Sequence, residues 1–87
     1  MYVIIVYDVE QKRVSKMCKK LREYLIWIQN SVFEGEITEG KLVELKSEIN
    51  RIINKDNDSV IIFEFSSDNY IKRRILGKEF NPTDNIL

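Results

Sequence analysis

The chain has 87 residues, 14 basic and 14 acidic side chains, one cysteine and no histidine. A single cysteine excludes an internal disulfide and a cysteine-cluster zinc site, and the missing histidines exclude Ser-His and Cys-His nucleophile pairs. No apolar stretch approaches the ~20 residues that cross a bilayer, and Met1-Tyr2-Val3 lacks the basic start of a signal peptide, so a reduced cytoplasmic setting without membrane contact is expected.

Tyr2 to Tyr7 is apolar at every position and rich in Val and Ile, which predicts a strand central in its sheet or covered on both faces. Val14, Met17, Cys18, Leu21, Leu25 and Ile28 then recur at helical spacing, predicting a helix over Gln11 to Leu25 with Lys and Arg on its other side. In Trp27 to Ile37 the strand formers Trp27, Ile28, Val32, Phe33 and Ile37 are punctuated by Asn30-Ser31 and Gly35. Two strands around a tight turn with a bulge at Gly35, or one kinked strand, both fit.

Thr38 is a fair N-cap for a second helix carrying Leu42, Leu45, Ile49, Ile52 and Ile53. Asn54-Lys55-Asp56-Asn57-Asp58 reads as a polar turn that ends it, and Ser59 to Phe65 as another apolar strand. Tyr70 to Gly77 accommodates a short turn and a short strand, and the chain beyond residue 80, with Pro82, reads as a frayed tail. Residues 1–80 thus form one domain of order strand, helix, strand, strand, helix, strand. That is the α+β pattern of a ferredoxin-like sandwich, with two helices on one face of an antiparallel sheet. Strands as apolar as 2–7 and 59–65 would leave a large apolar patch on the other face, and a face-to-face homodimer covers it.

The zero net charge is a sum of separated patches. Up to Tyr24, Lys12, Arg13, Lys16, Lys19, Lys20 and Arg22 outweigh Asp8, Glu10 and Glu23; acids dominate from Glu34 to Glu64; Lys72, Arg73, Arg74 and Lys78 then restore positive charge. Such patches steer ligands where the total does not. The helical cations read first as a solvated helix face, whereas Lys72, Arg73 and Arg74 are adjacent and cannot all share one face, so some are available to nucleic acid. Lys12 and Arg13 lie in the first helical turn, within reach of Asp8.

Asp8, where the first strand meets the first helix, suits two roles. It can cap the helix by accepting backbone N–H bonds. It can also ligate Mg²⁺, which commonly takes one or two carboxylates with waters and substrate phosphates, provided a two-fold axis brings the same residue from a second chain. Ser31 has no histidine to activate it and suits a turn; Cys18 lies on the buried stripe of the helix.

Tyr7-Asp8, a basic residue at position 13, and Gln29-Asn30-Ser31-Val32-Phe33-Glu34-Gly35 followed by the late SVIIFEF strand resemble the CRISPR-associated protein two family, with the match running from Met1 to about Phe65. The resemblance implies a ferredoxin-like homodimer whose C-terminal segment adds a strand to the partner's sheet. It also implies Mg²⁺ or Mn²⁺ held between the two Asp8 side chains. Tyr7, Arg13, Ser31 and Phe33 align with motif positions near that site, and Lys12, Arg13, Lys16, Lys72, Arg73 and Arg74 become the nucleic-acid contacts. The family is credited with metal-dependent endonuclease activity on RNA or DNA. It is credited also with bridging the CRISPR integrase on duplex DNA during spacer acquisition. The chain departs from many relatives at Trp27, where they carry a basic residue. A catalytic phosphodiesterase, a non-catalytic DNA scaffold and a toxin-like ribonuclease of the same fold remain open on the sequence.

Overall fold

The computed structural model describes residues 1–67 and 71–81. The elements are β1 (Tyr2–Asp8), α1 (Gln11–Arg22), β2 (Ile26–Gln29), β3 (Val32–Glu36), α2 (Glu39–Ile52) and β4 (Ser59–Phe65). They form one antiparallel sheet of order β2-β3-β1-β4, with β1 paired to both β3 and β4. The split arrangement expected from the element order is the one found.

The uniform apolarity of β1 conceals two different faces. Val3, Ile5 and Tyr7 are buried with Met17 and Leu21 of α1, Leu42, Leu45 and Ile49 of α2, and Phe33 of β3. Because side chains alternate along a strand, Tyr2, Ile4, Val6 and Asp8 point the opposite way. Their cross-strand neighbours on β4 are Phe65, Phe63, Ile61 and Ser59. Phe63 and Ile61 remain about half exposed, at 49% and 50%. The helices therefore cover one face, and the other carries an apolar surface open in the single chain.

Helix α1 ends at Arg22 rather than Leu25. The N–H groups of Glu23 and Tyr24 turn back onto the carbonyls of Lys20 and Leu21 at 3.1 and 3.0 Å, and Leu25 then enters the core. Lys19, Lys20 and Arg22 in the last turn suit the negative end of the helix dipole. Helix α2 begins as expected: the Thr38 hydroxyl oxygen accepts the Lys41 N–H at 3.1 Å.

Between the helices the hairpin is present. Asn30 takes a left-handed φ of 41°, which asparagine tolerates better than most residues, and its carbonyl accepts the Trp27 indole N–H at 3.0 Å. The irregularity of the hairpin lies on β2 between Trp27 and Gln29, not at Gly35, which pairs in register with Val3. The extra residue goes to the edge strand because β3 is held on its other side by a regular ladder to β1.

Residues 71–81 form no strand within the chain. The Asn81 side-chain amide donates to the Trp27 carbonyl at 2.7 Å, Arg73 pairs with Glu34, and Gly77 supplies a φ of 87°. Tyr70 and residues 82–87, where part of the turn and the frayed tail were expected, lie outside the described residues.

Candidate functional site

Asp8 ends β1 opposite Ser59, exposed and on the open face of the sheet. It does not cap α1. The N-cap residue is Glu10, and it makes no capping bond with its own side chain. The helix start is served instead by Asp58, which sequence position had assigned only to a polar turn. Its Oδ1 accepts the Glu10 N–H at 2.9 Å, and its Oδ2 accepts the Asn54 N–H from the end of α2 at 2.8 Å. Arg13 completes the cluster, donating through Nε to Oδ2 at 2.5 Å and through Nη2 to Oδ1 at 2.9 Å.

The Asp58 side chain is fully inaccessible and that of Arg13 is 14% exposed. A carboxylate with this many donors is stabilised in its charged form. The Arg13 hydrogen bond, aided by the two backbone N–H groups, holds Asp58 well below the usual carboxylate range, and the same bond raises Arg13. Glu10 reaches Nη2 of Arg13 as well, from an exposed position. Arg13 is thus bound to Asp58 and Glu10 rather than aimed at Asp8, as its place in the first turn had suggested.

Tyr7, Ser31 and Phe33 do come together, but inside the fold. The Tyr7 ring stacks on Phe33 with centroids 6.3 Å apart, and the Tyr7 N–H donates to the Ser31 carbonyl at 3.1 Å. Tyr7 is 4% exposed and Phe33 is fully buried. Burial pushes the Tyr7 phenol up, Cys18 adds to the rise, and a hydrogen bond with the Ser31 side chain opposes it. A phenol so enclosed has no access to a substrate in the single chain. Tyr7 and Phe33 therefore form the floor beneath the end of β1 that carries Asp8.

The cations divide into two sets. Helix α1 carries Lys12, Arg13, Lys16, Lys19, Lys20 and Arg22 and no acid. Lys12, Lys16 and Lys19 are exposed and recur at i, i+4 and i+7, so they form one stripe along the helix. The second set lies at the tail. Lys72, Arg73 and Arg74 are all exposed, yet Arg73 is committed to Glu34, a carboxylate 7% exposed that also accepts the Tyr2 hydroxyl at 2.6 Å. Arg73 thereby neutralises an acid embedded in the otherwise apolar face. The pairings of Asp58 with Arg13 and of Glu34 with Arg73 were not legible in the sequence, since each acid meets a cation far along the chain, whereas Glu10 and Arg13 are i,i+3 neighbours.

Among the described residues no group of three potential ligands could hold a metal ion. Asp8 offers one hard carboxylate per chain, a donor type that Mg²⁺ accepts. Two copies would supply two.

Comparisons with known proteins agree with one another. The family described as CRISPR associated protein Cas2 matches residues 1–73. The chain is 54% identical over 87 residues to the CRISPR-associated endoribonuclease Cas2 of Dictyoglomus turgidum, covering 100% of both. It is also 54% identical over 87 residues to the protein of that name from Methanocaldococcus jannaschii, covering 100% of this chain and 76% of the relative. A solved structure described as that of cas2 superposes with a TM-score of 0.87 at 45% identity, covering 94% of this chain and 92% of that one. Streptococcus pyogenes Cas2 does so with a TM-score of 0.72 at 27% identity, covering 85% and 99%.

Proposed function

The chain belongs to the CRISPR-associated protein Cas2 family, and from that premise we propose that it is a cytoplasmic, nucleic-acid-binding homodimer of CRISPR adaptation. The observation that carries this reading is the acid-free basic helix α1 on one side of a sheet whose other face is apolar, open in the single chain, and ends in Asp8. Phosphates of duplex DNA track the Lys12, Lys16 and Lys19 stripe, a contact that carries no sequence information. Lys72 and Arg74 of the tail, also exposed, offer phosphate contacts of their own.

Ile61 and Phe63 make the open face the surface of self-association. Ile75, Leu76 and Phe80 of the tail are exposed as well, and residues 71–81 are not part of a strand, which suits their addition to the sheet of a second copy. The dimer then presents its basic surface to duplex DNA and its remaining edges to the CRISPR integrase.

A second activity, phosphodiester hydrolysis on RNA or DNA, has support in the relatives, which are named endoribonucleases, and in Asp8. When Mg²⁺ is bound it would polarise the phosphate and activate water. Asp8 of the two copies would hold it, and the Tyr7–Phe33 stack fixes the strand end that carries Asp8.

Binding of a short duplex across a salt series tests the main reading. Log K should fall by about 0.9 per phosphate contact per log unit of salt. Alanine at Lys12, Lys16 and Lys19 together should weaken binding and flatten that slope; an unchanged affinity would overturn the assignment. Spacer integration by wild type and Asp8→Ala with the cognate integrase separates scaffold from nuclease.

A further inference from the structure

We infer that Arg13 is a phosphate contact held in position by Asp58 and masked by Glu10, so that Glu10 tunes the affinity for nucleic acid. This deepens the nucleic-acid reading above and rests on it. The Asp58 carboxylate takes Arg13 side-on through Nε and Nη2, and three elements fix that carboxylate: it immediately precedes β4, and it accepts N–H groups from just before α1 and from just beyond α2. An arginine bound in this manner keeps a rigid orientation while its outer N–H groups remain able to donate. Neither Asp58 nor Glu10 engages Nη1.

The two acids differ in what they can do. Asp58 is inaccessible and multiply bonded, so it does not leave. Glu10 holds Nη2 from a side chain 45% exposed, as an i,i+3 neighbour. Exposed pairs of this kind are worth little. A phosphate arriving along Lys12 and Lys16 competes for the same donor with a bidentate geometry that guanidinium favours. Glu10 therefore acts as an internal substitute for phosphate: it keeps Arg13 satisfied in the free protein and yields it on binding.

The test measures affinity for a short duplex DNA over a salt series for wild type, Glu10→Gln, Asp56→Asn, Arg13→Gln and the Glu10→Gln/Arg13→Gln double variant. Asp56→Asn removes the same unit of charge from the neighbouring turn without touching Arg13. Glu10→Gln should bind about threefold to fivefold tighter than wild type, with a clearly smaller gain for Asp56→Asn. Arg13→Gln should lower the salt slope by about 0.9, and in its background the Glu10 substitution should give no more than the small gain of Asp56→Asn. Asp58→Asn, assayed where circular dichroism shows an intact fold, should flatten the slope as Arg13→Gln does; a wild-type slope would remove Asp58 from the positioning role. Equal gains for Glu10→Gln and Asp56→Asn would reduce the effect to net charge and overturn the inference, and that comparison decides even if Arg13→Gln does not fold. Absence of duplex binding by every variant and by wild type would overturn the nucleic-acid reading and this inference with it.

Discussion

Arg13 and Asp58 lie 45 positions apart, and their side chains meet twice, at 2.5 Å between Nε and Oδ2 and at 2.9 Å between Nη2 and Oδ1. This pair joins the first helix to the turn that leads into the last strand, at the end of the sheet where Asp8 lies. It also accounts for how α1 begins without a capping side chain of its own.

Acid should expose that pair. Arg13 and two backbone N–H groups hold Asp58 below its unfolded value of about 3.9. The folded state then binds fewer protons than the unfolded chain, so the contribution is complete above pH ~4 and is lost as the pH falls below it. Asp58→Asn should melt at a lower temperature than wild type at pH 7, and the gap should shrink as the pH drops below ~4. Thermal melts followed by circular dichroism across that range check this, and a gap independent of pH would exclude the ionised pair as its source.

Asp8 should be dispensable for folding. It is exposed and caps nothing, so Asp8→Ala should change stability by no more than about 0.5 kcal/mol in a urea titration. The same variant should keep duplex binding and lose any Mg²⁺-dependent cleavage, measured beside wild type with and without EDTA. Cleavage that survives in both the variant and EDTA would take Asp8 out of the chemistry.

Charge on the open sheet face should separate the copies. Ile61 and Phe63 are about half exposed there, at 50% and 49%. Phe63→Glu places a carboxylate in that surface without disturbing the buried face of β4. Light scattering after size exclusion should find wild type dimeric and the variant monomeric; two dimers would move the self-association surface elsewhere.

At alkaline pH the readout is Tyr24. Its hydroxyl donates to Glu44 at 2.6 Å, and that acceptor, with some burial and nearby carboxylates, pushes the phenol up to about 12. A phenol raised above its unfolded value of about 10 contributes stability in full below pH ~10, and that contribution disappears as the pH rises through about 12. An ultraviolet titration should show a late tyrosinate step that Tyr24→Phe removes and Glu44→Gln shifts toward 10.

Much of the fold was legible because its signals are local. The stripe of Val14, Met17, Cys18 and Leu21 announced α1, and Thr38 announced α2. The end of α1 was misplaced because Leu25 continues the helical period although it reaches the core from a turn. The bulge was placed at Gly35 because glycine often marks one, yet the paired inner strand resists an insertion that the edge strand accepts.

By itself the sequence determined the element order, the apolar character of both sheet faces, the basic helix and the motif that points to the family. Those properties depend on residue type and on spacing along a few turns. Only the tertiary structure decided which cations are free. Arg13 is held by Asp58 because the antiparallel pairing of β1 with β4 sets Asp8 opposite Ser59 and so brings residue 58 beside the start of α1. Arg73 is held by Glu34 because residues 71–81 lie against the β2–β3 hairpin, where Asn81 also meets Trp27. A charge's partner is fixed by distance in space, and that distance exists only once the sheet has its register.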